Sequence, residues 1–284
     1  MLELTSISAL RGWVAGQHAA GSRIGFVPTM GFLHEGHLRL VDEARRRTDA
    51  VAMSIFVNPL QFGPGEDLDR YPRDLPRDRG LAAGRRVDVL FVPEAATIYP
   101  PGAEVLVVPG ATADRWEGAT RPGHFTGVLT VVAKLFHLVT PDVACFGQKD
   151  IQQATLIRKM VRDLDWPVEI VVVPTVREPD GLALSSRNAY LSPEDRQQAV
   201  GLSAALLAGR DAWTAGERGS ALLEAAMRAR LAMFPGVRPE YISLVEPEAL
   251  EPVAEALPGT IVMIAARVGS TRLIDNIILG QGLA

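Results

Sequence analysis

The chain has 284 residues, of which 48% are hydrophobic and 22% are charged, and its formal net charge is -4. This length and hydrophobic content can fill the core of one large or two ordinary domains. Because 29 scattered basic residues stand against 33 acidic ones, the chain lacks the basic footprint of a nucleic-acid-binding protein. The N-terminus has no basic leader, and no segment reaches the roughly 18 apolar residues that span a bilayer. We therefore expect a cytoplasmic protein with neither nucleic acid nor membrane as a partner.

Short apolar runs alternate with helical patterns along the first 176 residues. Near-continuous Val, Ile and Phe indicate strands that are covered on both faces, and a strand, helix, strand repetition is typical of a parallel sheet. We therefore predict an α/β fold with a doubly wound, Rossmann-like sheet. The predicted strands are RIGFVP (23–28), AVAMSIFV (50–57), VDVLFVP (87–93), DVACFG (142–147) and EIVVVP (169–174), and the helices lie at about 36–48, 125–139 and 150–163. The single cysteine, Cys145, is expected at a buried strand position.

The composition changes near residue 177. Long Ala- and Leu-rich helices are predicted at about 193–213 and 219–233, followed by EYISLVEP and GTIVMIAARVGSTRLIDNI, which we interpret as two strands. We expect a smaller C-terminal α+β domain over residues 177–284, next to the Rossmann-like domain of residues 1–176.

The loop PTMGFLHEGH leads from the first predicted strand into a helix. Its glycines allow close backbone approach, and free N–H groups at a helix N-terminus attract anions. His34 and His37 can project to one side of the first turn and donate hydrogen bonds to phosphate oxygens. The loop therefore predicts a phosphate-binding corner. One alternative is a pair of histidines that cap the helix. A zinc site is the other, but the sequence supplies neither a third ligand nor the HExxH spacing.

Two amide side chains, Asn58 and Gln61, follow the second strand in FVNPLQFG. Neutral amides both donate and accept hydrogen bonds, as a small hydroxyl-bearing acid requires. The alternative is a loop whose amides bind its own backbone.

Two later loops offer positive charge. Lys149 in FGQKDIQQ can supply a point charge to phosphoryl oxygens, although a solvated surface lysine gives the same pattern. Ser185, Ser186 and Arg187 in LALSSRN together can clamp an anion. Alternatively, each serine caps a helix or a turn, and Arg187 forms a surface ion pair.

These motifs resemble those of the pantoate–β-alanine ligase family, within the nucleotidylyl-transferase superfamily that shares the HxGH signature. Six of them, PTMGFLHEGH, FVNPLQF, RPGHFTGV, FGQKDIQQ, LALSSRN and TRLIDNI, occur in the family's order across nearly the whole chain. The resemblance implies a homodimeric enzyme that condenses pantoate with β-alanine, using ATP with Mg²⁺, through a pantoyl adenylate. Residues 1–176 are then expected to bind ATP and pantoate, and the domain of residues 177–284 is expected to act as a lid. An enzyme that adenylates a phosphomonoester and a non-catalytic ATP-binding sensor are the competing interpretations.

The resemblance also implies a role for individual residues. Catalytic roles fall to His37, as the expected proton donor, and to His34, Lys149 and Arg187. Pantoate and β-alanine are expected to contact Gln61, Gln153, Asn58 and Arg121. The implied ATP-binding residues are Met30, Gly31, Phe32, Leu33, His34, Glu35, Gly36, His37, Gly147, Gln148, Lys149, Asp150, Val176, Leu184, Ser185, Ser186 and Arg187.

One position departs from the family pattern. An acidic residue commonly precedes the aspartate that corresponds to Asp78, and this chain has Arg77 there. Asp78 is the expected metal-binding residue, and the departure bears on that expectation.

Overall fold

A computed structural model describes residues 1–281. The chain forms two compact units. The first comprises Met1–Gly147 and Gln152–Val173, and the second comprises Gln148–Ile151 together with the chain from Pro174 onward. The chain therefore enters the second unit briefly after the fifth strand, at the FGQKD motif. The lid role expected for the C-terminal domain stays a prediction.

The first unit contains a six-stranded parallel sheet in the order β1-β4-β3-β2-β5-β6. This confirms the predicted Rossmann-like architecture. β1 was not predicted, because three residues carry too little periodicity to be recognised. The strands are β1 (Leu2–Leu4), β2 (Ile24–Thr29), β3 (Ala50–Ile55), β4 (Val89–Phe91), β5 (Val143–Gly147) and β6 (Glu169–Val173).

Helices cover both faces of this sheet. Alternate strand residues face opposite sides, so Phe26 enters one core while its neighbour Val27 enters the other. Cys145 lies on the Val27 side and is fully buried, as expected. Burial on both faces explains why the strands consist of near-continuous apolar residues. The helices are α1 (Ile7–Ala19), α2 (Glu35–Arg47), α3 (Leu75–Gly84), α4 (Ala95–Ile98), α5 (Glu117–Thr120), α6 (His124–Val139) and α7 (Ile151–Asp163).

The second unit packs two helices on a three-stranded antiparallel sheet in the order β7-β8-β9. The C-terminal stretch, predicted as two strands, holds three, because a turn at Gly269, with φ of 57°, divides the second predicted strand into two. The elements are α8 (Pro193–Thr214), α9 (Ser220–Leu231), β7 (Val237–Val245), β8 (Ile261–Val268) and β9 (Thr271–Ile278).

The strand order of the parallel sheet reverses between β2 and β5. From β2 the chain moves outward to β3 and β4, whereas β5 and β6 lie on the other side. In such sheets, ligands bind outside the carboxyl ends of the strands at this reversal. The loop after β2 is thus placed where a ligand is expected. Among the helices that the structure describes, none is long and apolar enough to cross a membrane.

Candidate active site

The loop after β2 adopts an unusual backbone conformation. Gly31 and Phe32 both have positive φ, 80° and 48°, a region that costs a non-glycine residue free energy. The Asp78 carboxylate stabilises this conformation: the Phe32 N–H donates to Oδ2 and the Leu33 N–H donates to Oδ1, each at 2.7 Å. Asp78 is 1% exposed. Asp78 therefore fixes the turn that leads into α2.

Asp78 and its neighbour act on this loop from the start of α3. Burial raises the pKa of the Asp78 carboxyl, against the two backbone hydrogen bonds, which lower it. The Arg77 guanidinium donates to the Leu33 carbonyl at 2.9 Å and lies over the Phe32 ring, 5.4 Å from its centre. The residue that departs from the family pattern thus stabilises the same loop.

His34 and His37 lie together at the start of α2. His34 precedes the helix in an extended conformation, and the two ring centres are 4.1 Å apart with an angle of 33° between the planes. The backbone N–H of His34 donates to Nδ1 of His37 at 3.3 Å. The proton of a neutral His37 ring is therefore on Nε2.

The observed position of the His34 ring leaves no room for a side chain at residue 36, which is a glycine. A Cβ atom at this position would lie 2.9 Å from Cε1 and from Nδ1 of that ring. The backbone N–H groups of Glu35 and Gly36 are in the first turn of α2, where an α-helix offers no internal acceptor. Together with the imidazoles, these amides can bind an anion such as a phosphate.

In the loop after β3, Asn58 supports the side chain of Gln61. Asn58 is 1% exposed; its Nδ2 donates to Oε1 of Gln61 at 3.1 Å and to the Gly127 carbonyl at 3.0 Å. Its Oδ1 accepts from the Tyr99 hydroxyl at 2.8 Å and from the Leu60 N–H at 3.3 Å. These contacts use both donors and both lone pairs of Asn58, which favours a role in orienting Gln61.

The first and second loops meet at Met30. The Gln61 Nε2 group lies 3.1 Å from the thioether sulfur of Met30. The structure thus brings Met30, Gln61 and Asn58 together at the carboxyl ends of β2 and β3.

Arg121 contacts protein groups in the described chain. Its guanidinium donates to both carboxylate oxygens of Glu66, at 2.9 and 2.6 Å, and to the Gln61 carbonyl at 3.2 Å. It also faces Nε2 of His124 at 3.0 Å, while Nδ1 of that ring is 2.8 Å from the Gln61 carbonyl. Burial and then the Arg121 charge lower the pKa of His124 to about 4. A neutral His124 therefore accepts from Arg121 and donates to Gln61.

The two adjacent glutamines of α7 differ in environment. Gln152 is buried, accepts from the Glu117 N–H and donates to the carbonyls of Thr112 and Arg115. Gln153 is half-buried. This difference favours Gln153, the residue predicted to contact pantoate, as the one that can reach a ligand.

Most of the remaining predicted ATP-binding residues belong to the second unit, although Gly147 ends β5 in the first. Lys149 lies in the 3₁₀ turn Gln148–Asp150, and its ammonium is 3.8 Å from the Asp150 carboxylate. The backbone N–H of Leu184 donates to the Val176 carbonyl at 2.9 Å, which pairs two of the predicted ATP-binding residues. Ser185 accepts from the Arg187 N–H at 3.3 Å and caps a second 3₁₀ turn, Ser186–Tyr190.

No group of three or more His, Cys, Asp or Glu side chains in residues 1–281 is placed to hold a metal ion. Asp78 is almost fully buried, and both its oxygens accept backbone hydrogen bonds. Both Asp78 oxygens thus serve the loop backbone, and the predicted metal contact of Asp78 stays a prediction.

Sequence reasoning missed the residues that support the site. Tyr99, Glu66 and His124 support the site through partners that are 41, 55 and 63 residues away in the chain, and no local spacing indicates such partners. His124 lies in the RPGHFTGV motif, at the start of α6. The glycine of the same motif, Gly127, was a usable signal: a Cβ there would lie 2.2 Å from the Leu60 carbonyl oxygen.

Comparisons with known proteins agree on one family over the whole chain. The model of the family described as pantoate-beta-alanine ligase matches residues 3–278. The chain is similar to the pantothenate synthetase of Moorella thermoacetica, with 51% identity over 97% of this chain and 98% of that protein. It is 55% identical to the pantothenate synthetase of Anaeromyxobacter dehalogenans, over 90% and 91% of the two chains.

Solved structures give the same result. Pantothenate synthetase from Thermus thermophilus matches with a TM-score of 0.93 and 50% identity, over 98% of this chain and 99% of that chain. Pantoate-beta-alanine ligase from Francisella tularensis, complexed with beta-gamma ATP and beta-alanine, matches with a TM-score of 0.81 and 34% identity over the full length of both chains. With its paired histidines at the sheet reversal and these full-length matches, the chain belongs to the pantoate–β-alanine ligase family.

Proposed function

We propose that this protein joins pantoate to β-alanine at the expense of ATP and releases pantothenate, AMP and pyrophosphate. The observation that carries the proposal is the stacked pair of His34 and His37 at the start of α2, where the parallel sheet reverses. Full-length similarity to ligases of this activity supports it.

The reaction needs ATP because a carboxylate is a poor acyl donor. Attack of a pantoate carboxylate oxygen on the α-phosphorus forms pantoyl adenylate and breaks the bond to pyrophosphate. The β-alanine amine then attacks the acyl carbon, loses a proton, and AMP departs with the electron pair of the broken acyl–oxygen bond. Positioning and charge stabilisation supply the rate, and no covalent enzyme intermediate is required.

His34, His37 and the first amides of α2 serve the phosphates in this proposal. Negative charge grows on the pyrophosphate as it leaves, and hydrogen-bond donors fixed beforehand stabilise that charge. His37 is the proposed proton donor, because its Nδ1 accepts from the His34 N–H and its Nε2 carries the proton.

Gln61 and Gln153 are the proposed pantoate contacts. Gln61 is oriented by Asn58 at its side chain and by His124 and Arg121 at its carbonyl. Arg121 then acts on substrate through Gln61 in this proposal, and its direct contact with substrate stays a prediction.

The second unit supplies Lys149, Ser186 and Arg187 in this proposal, each as a positively charged or hydroxyl donor to the triphosphate. Their assignment rests on the GQKD and LALSSRN motifs. Val176 and Leu184 are proposed to pack on the adenine.

ATP is proposed to act as its magnesium complex. Mg²⁺ keeps several waters and binds substrate phosphates more readily than an all-protein cage. The buried, doubly hydrogen-bonded Asp78 is then a residue that holds the Gly31–Leu33 turn. Its predicted contribution to metal binding stays a prediction.

We further propose a homodimer in the cytoplasm. Family resemblance supports the dimer, and three exposed apolar side chains, Val105, Leu106 and Val108, offer surface for it. A reducing compartment suits a chain whose single cysteine is buried.

A product assay tests the reaction. Protein, ATP, magnesium and pantoate are mixed with and without β-alanine, and pyrophosphate and AMP are measured. Steady AMP formation is expected only when β-alanine is present. AMP release at the same rate without β-alanine would rule out the ligase.

Replacement of one histidine tests the site. We expect His37→Ala to lose about 10²- to 10³-fold in turnover, the usual cost of one charge-stabilising donor. His18→Ala, an exposed histidine of α1, is the matched control and should keep full turnover. If both variants behave alike, the histidine pair is not the catalytic site.

A further inference from the structure

The last strand, β9, carries two buried polar residues that the proposed reaction does not use. Asp275 and Asn276 are 3% and 1% exposed. Buried polar groups need hydrogen-bond partners, and successive strand residues point to opposite faces of a sheet. The two side chains can therefore bind two different segments of the same unit.

Asn276 binds the turn that contains Lys149. Its Nδ2 group donates to the carbonyls of Gln148 and Lys149, each at 2.9 Å. Its Oδ1 accepts from Nε2 of Gln148 at 3.2 Å. Both N–H groups of one amide thus hold two consecutive carbonyls, which neither a carboxylate nor a methyl group could do.

Asp275 makes the support rigid. Its carboxylate forms a two-point pair with the Arg177 guanidinium, at 2.6 and 3.0 Å. Arg177 also donates to the Asn276 carbonyl at 3.3 Å, and the Asn276 N–H donates to Asp275 Oδ1 at 2.8 Å. The backbone of Asn276 is therefore held at its N–H and at its carbonyl.

We infer that Asn276 is a positioning residue for Lys149, because it fixes the backbone from which this flexible side chain extends. The inference rests on the proposed role of Lys149 at the nucleotide phosphates. A lysine ammonium is a point charge on four rotatable carbons, so its position depends on a fixed Cα. A misplacement of about 1 Å can cost roughly 100-fold in rate.

The isosteric variant Asn276→Asp tests the inference. It replaces the two N–H donors with an oxygen that faces two carbonyl oxygens. We expect turnover to fall about 10- to 100-fold, with the pantoate KM unchanged, in an assay of pyrophosphate release. Glu240→Gln is the matched control, since it removes a surface charge that pairs with Arg272 of β9 and with Arg267 of β8 and should leave turnover unchanged.

A double-mutant cycle separates positioning from general structural damage. If Asn276 acts through Lys149, the Asn276→Asp effect should disappear in a Lys149→Ala background. An equal fold-loss in both backgrounds would overturn the inference, as would full turnover of Asn276→Asp. Full turnover of Lys149→Ala would instead overturn the proposed role of Lys149, and the inference with it.

Folding is checked by thermal unfolding of each variant. Should Asn276→Asp not fold, Gln148→Ala replaces it, because it removes only the bond to Asn276 Oδ1 and leaves both carbonyl bonds. A smaller loss of turnover that vanishes in the Lys149→Ala background is expected. A loss that persists unchanged there would contradict the inference.

Discussion

The absence of a side chain at Gly36 determines where the ring of His34 lies. In Gly36→Ala the new methyl group would meet this ring at 2.9 Å. The ring can rotate away at little cost in stability, and alanine favours a helix over glycine by about 1 kcal/mol. We therefore expect an equally or more stable protein whose turnover falls at least about tenfold.

Unfolding in urea and steady-state turnover together check this expectation. Gly12→Ala in α1 is the control, since nothing lies within 4 Å of its new Cβ atom; it should gain stability and keep activity. Full activity of Gly36→Ala would show that the position of the His34 ring does not matter.

His124 links stability to pH. Its folded pKa of about 4 lies below the ordinary 6.5, so the unfolded chain binds its proton more readily. The neutral His124 ring makes its full contribution to the free energy of unfolding above pH 6.5. That free energy falls by on the order of 3 kcal/mol as the pH drops towards 4. In His124→Asn, the free energy of unfolding should fall less steeply over this range.

Urea unfolding at a series of pH values measures this slope. His137→Asn, an exposed histidine on the same helix, should retain the wild-type slope. Identical slopes for all three proteins would show that His124 is not held neutral by the fold.

At the scale of elements, α6 sets the position of the Pro59–Gln61 turn. At Gly127 a methyl group would lie 2.2 Å from the Leu60 carbonyl oxygen and 2.6 Å from the Gln61 nitrogen. These are backbone atoms, so the helix or the turn must move. Gly127→Ala should lose about 1–3 kcal/mol of stability through overpacking and should raise the KM for pantoate.

Pantoate titrations of turnover, with urea unfolding, measure both effects. Gly80→Ala in α3 serves as the control, because its Cβ would meet nothing within 4 Å. An unchanged pantoate KM in a folded Gly127→Ala protein would mean that Gln61 does not depend on α6.

The elements predicted from sequence were those with long, strongly periodic patterns. The helix expected at 36–48 is Glu35–Arg47, and the apolar run at 50–57 gives Ala50–Ile55. The missed elements depend on other signals: Leu2–Leu4 is a strand only because it pairs with β4. A local pattern cannot contain that partner.

The same limit applies to the site. A histidine just before a helix and another three residues later lie close together at the first turn, so the His34–His37 pair was predictable. Asp78 reaches Phe32 and Leu33 from a different element, and Arg77 joins it there. Motif reasoning identified these two positions but could not give their contacts.

The whole molecule consists of two units, each with its own buried core, and is proposed to assemble as a homodimer. Val105, Leu106 and Val108 are 91%, 50% and 74% exposed, an arrangement that costs free energy in water. Sedimentation velocity should show twice the monomer mass of 30.6 kDa, and Val105→Asp combined with Val108→Asp should shift the protein towards monomer.

Leu222→Asp, on exposed α9 surface, is the control and should sediment like the wild type. A wild-type protein that sediments as a monomer would contradict the proposed dimer. A dimer that survives the double replacement would place the interface elsewhere.

The single thiol of the chain lies on β5, an inner strand of the parallel sheet. Cys145 is fully buried, and burial raises its pKa to about 12, so at neutral pH it offers alkylating reagents neither access nor thiolate. Labelling by iodoacetamide then requires β5 to open. Mass spectrometry can follow the addition of one carbamidomethyl group, and the rate of this labelling reports how often β5 opens. If added nucleotide slows the labelling, the decrease measures nucleotide binding without any catalytic turnover.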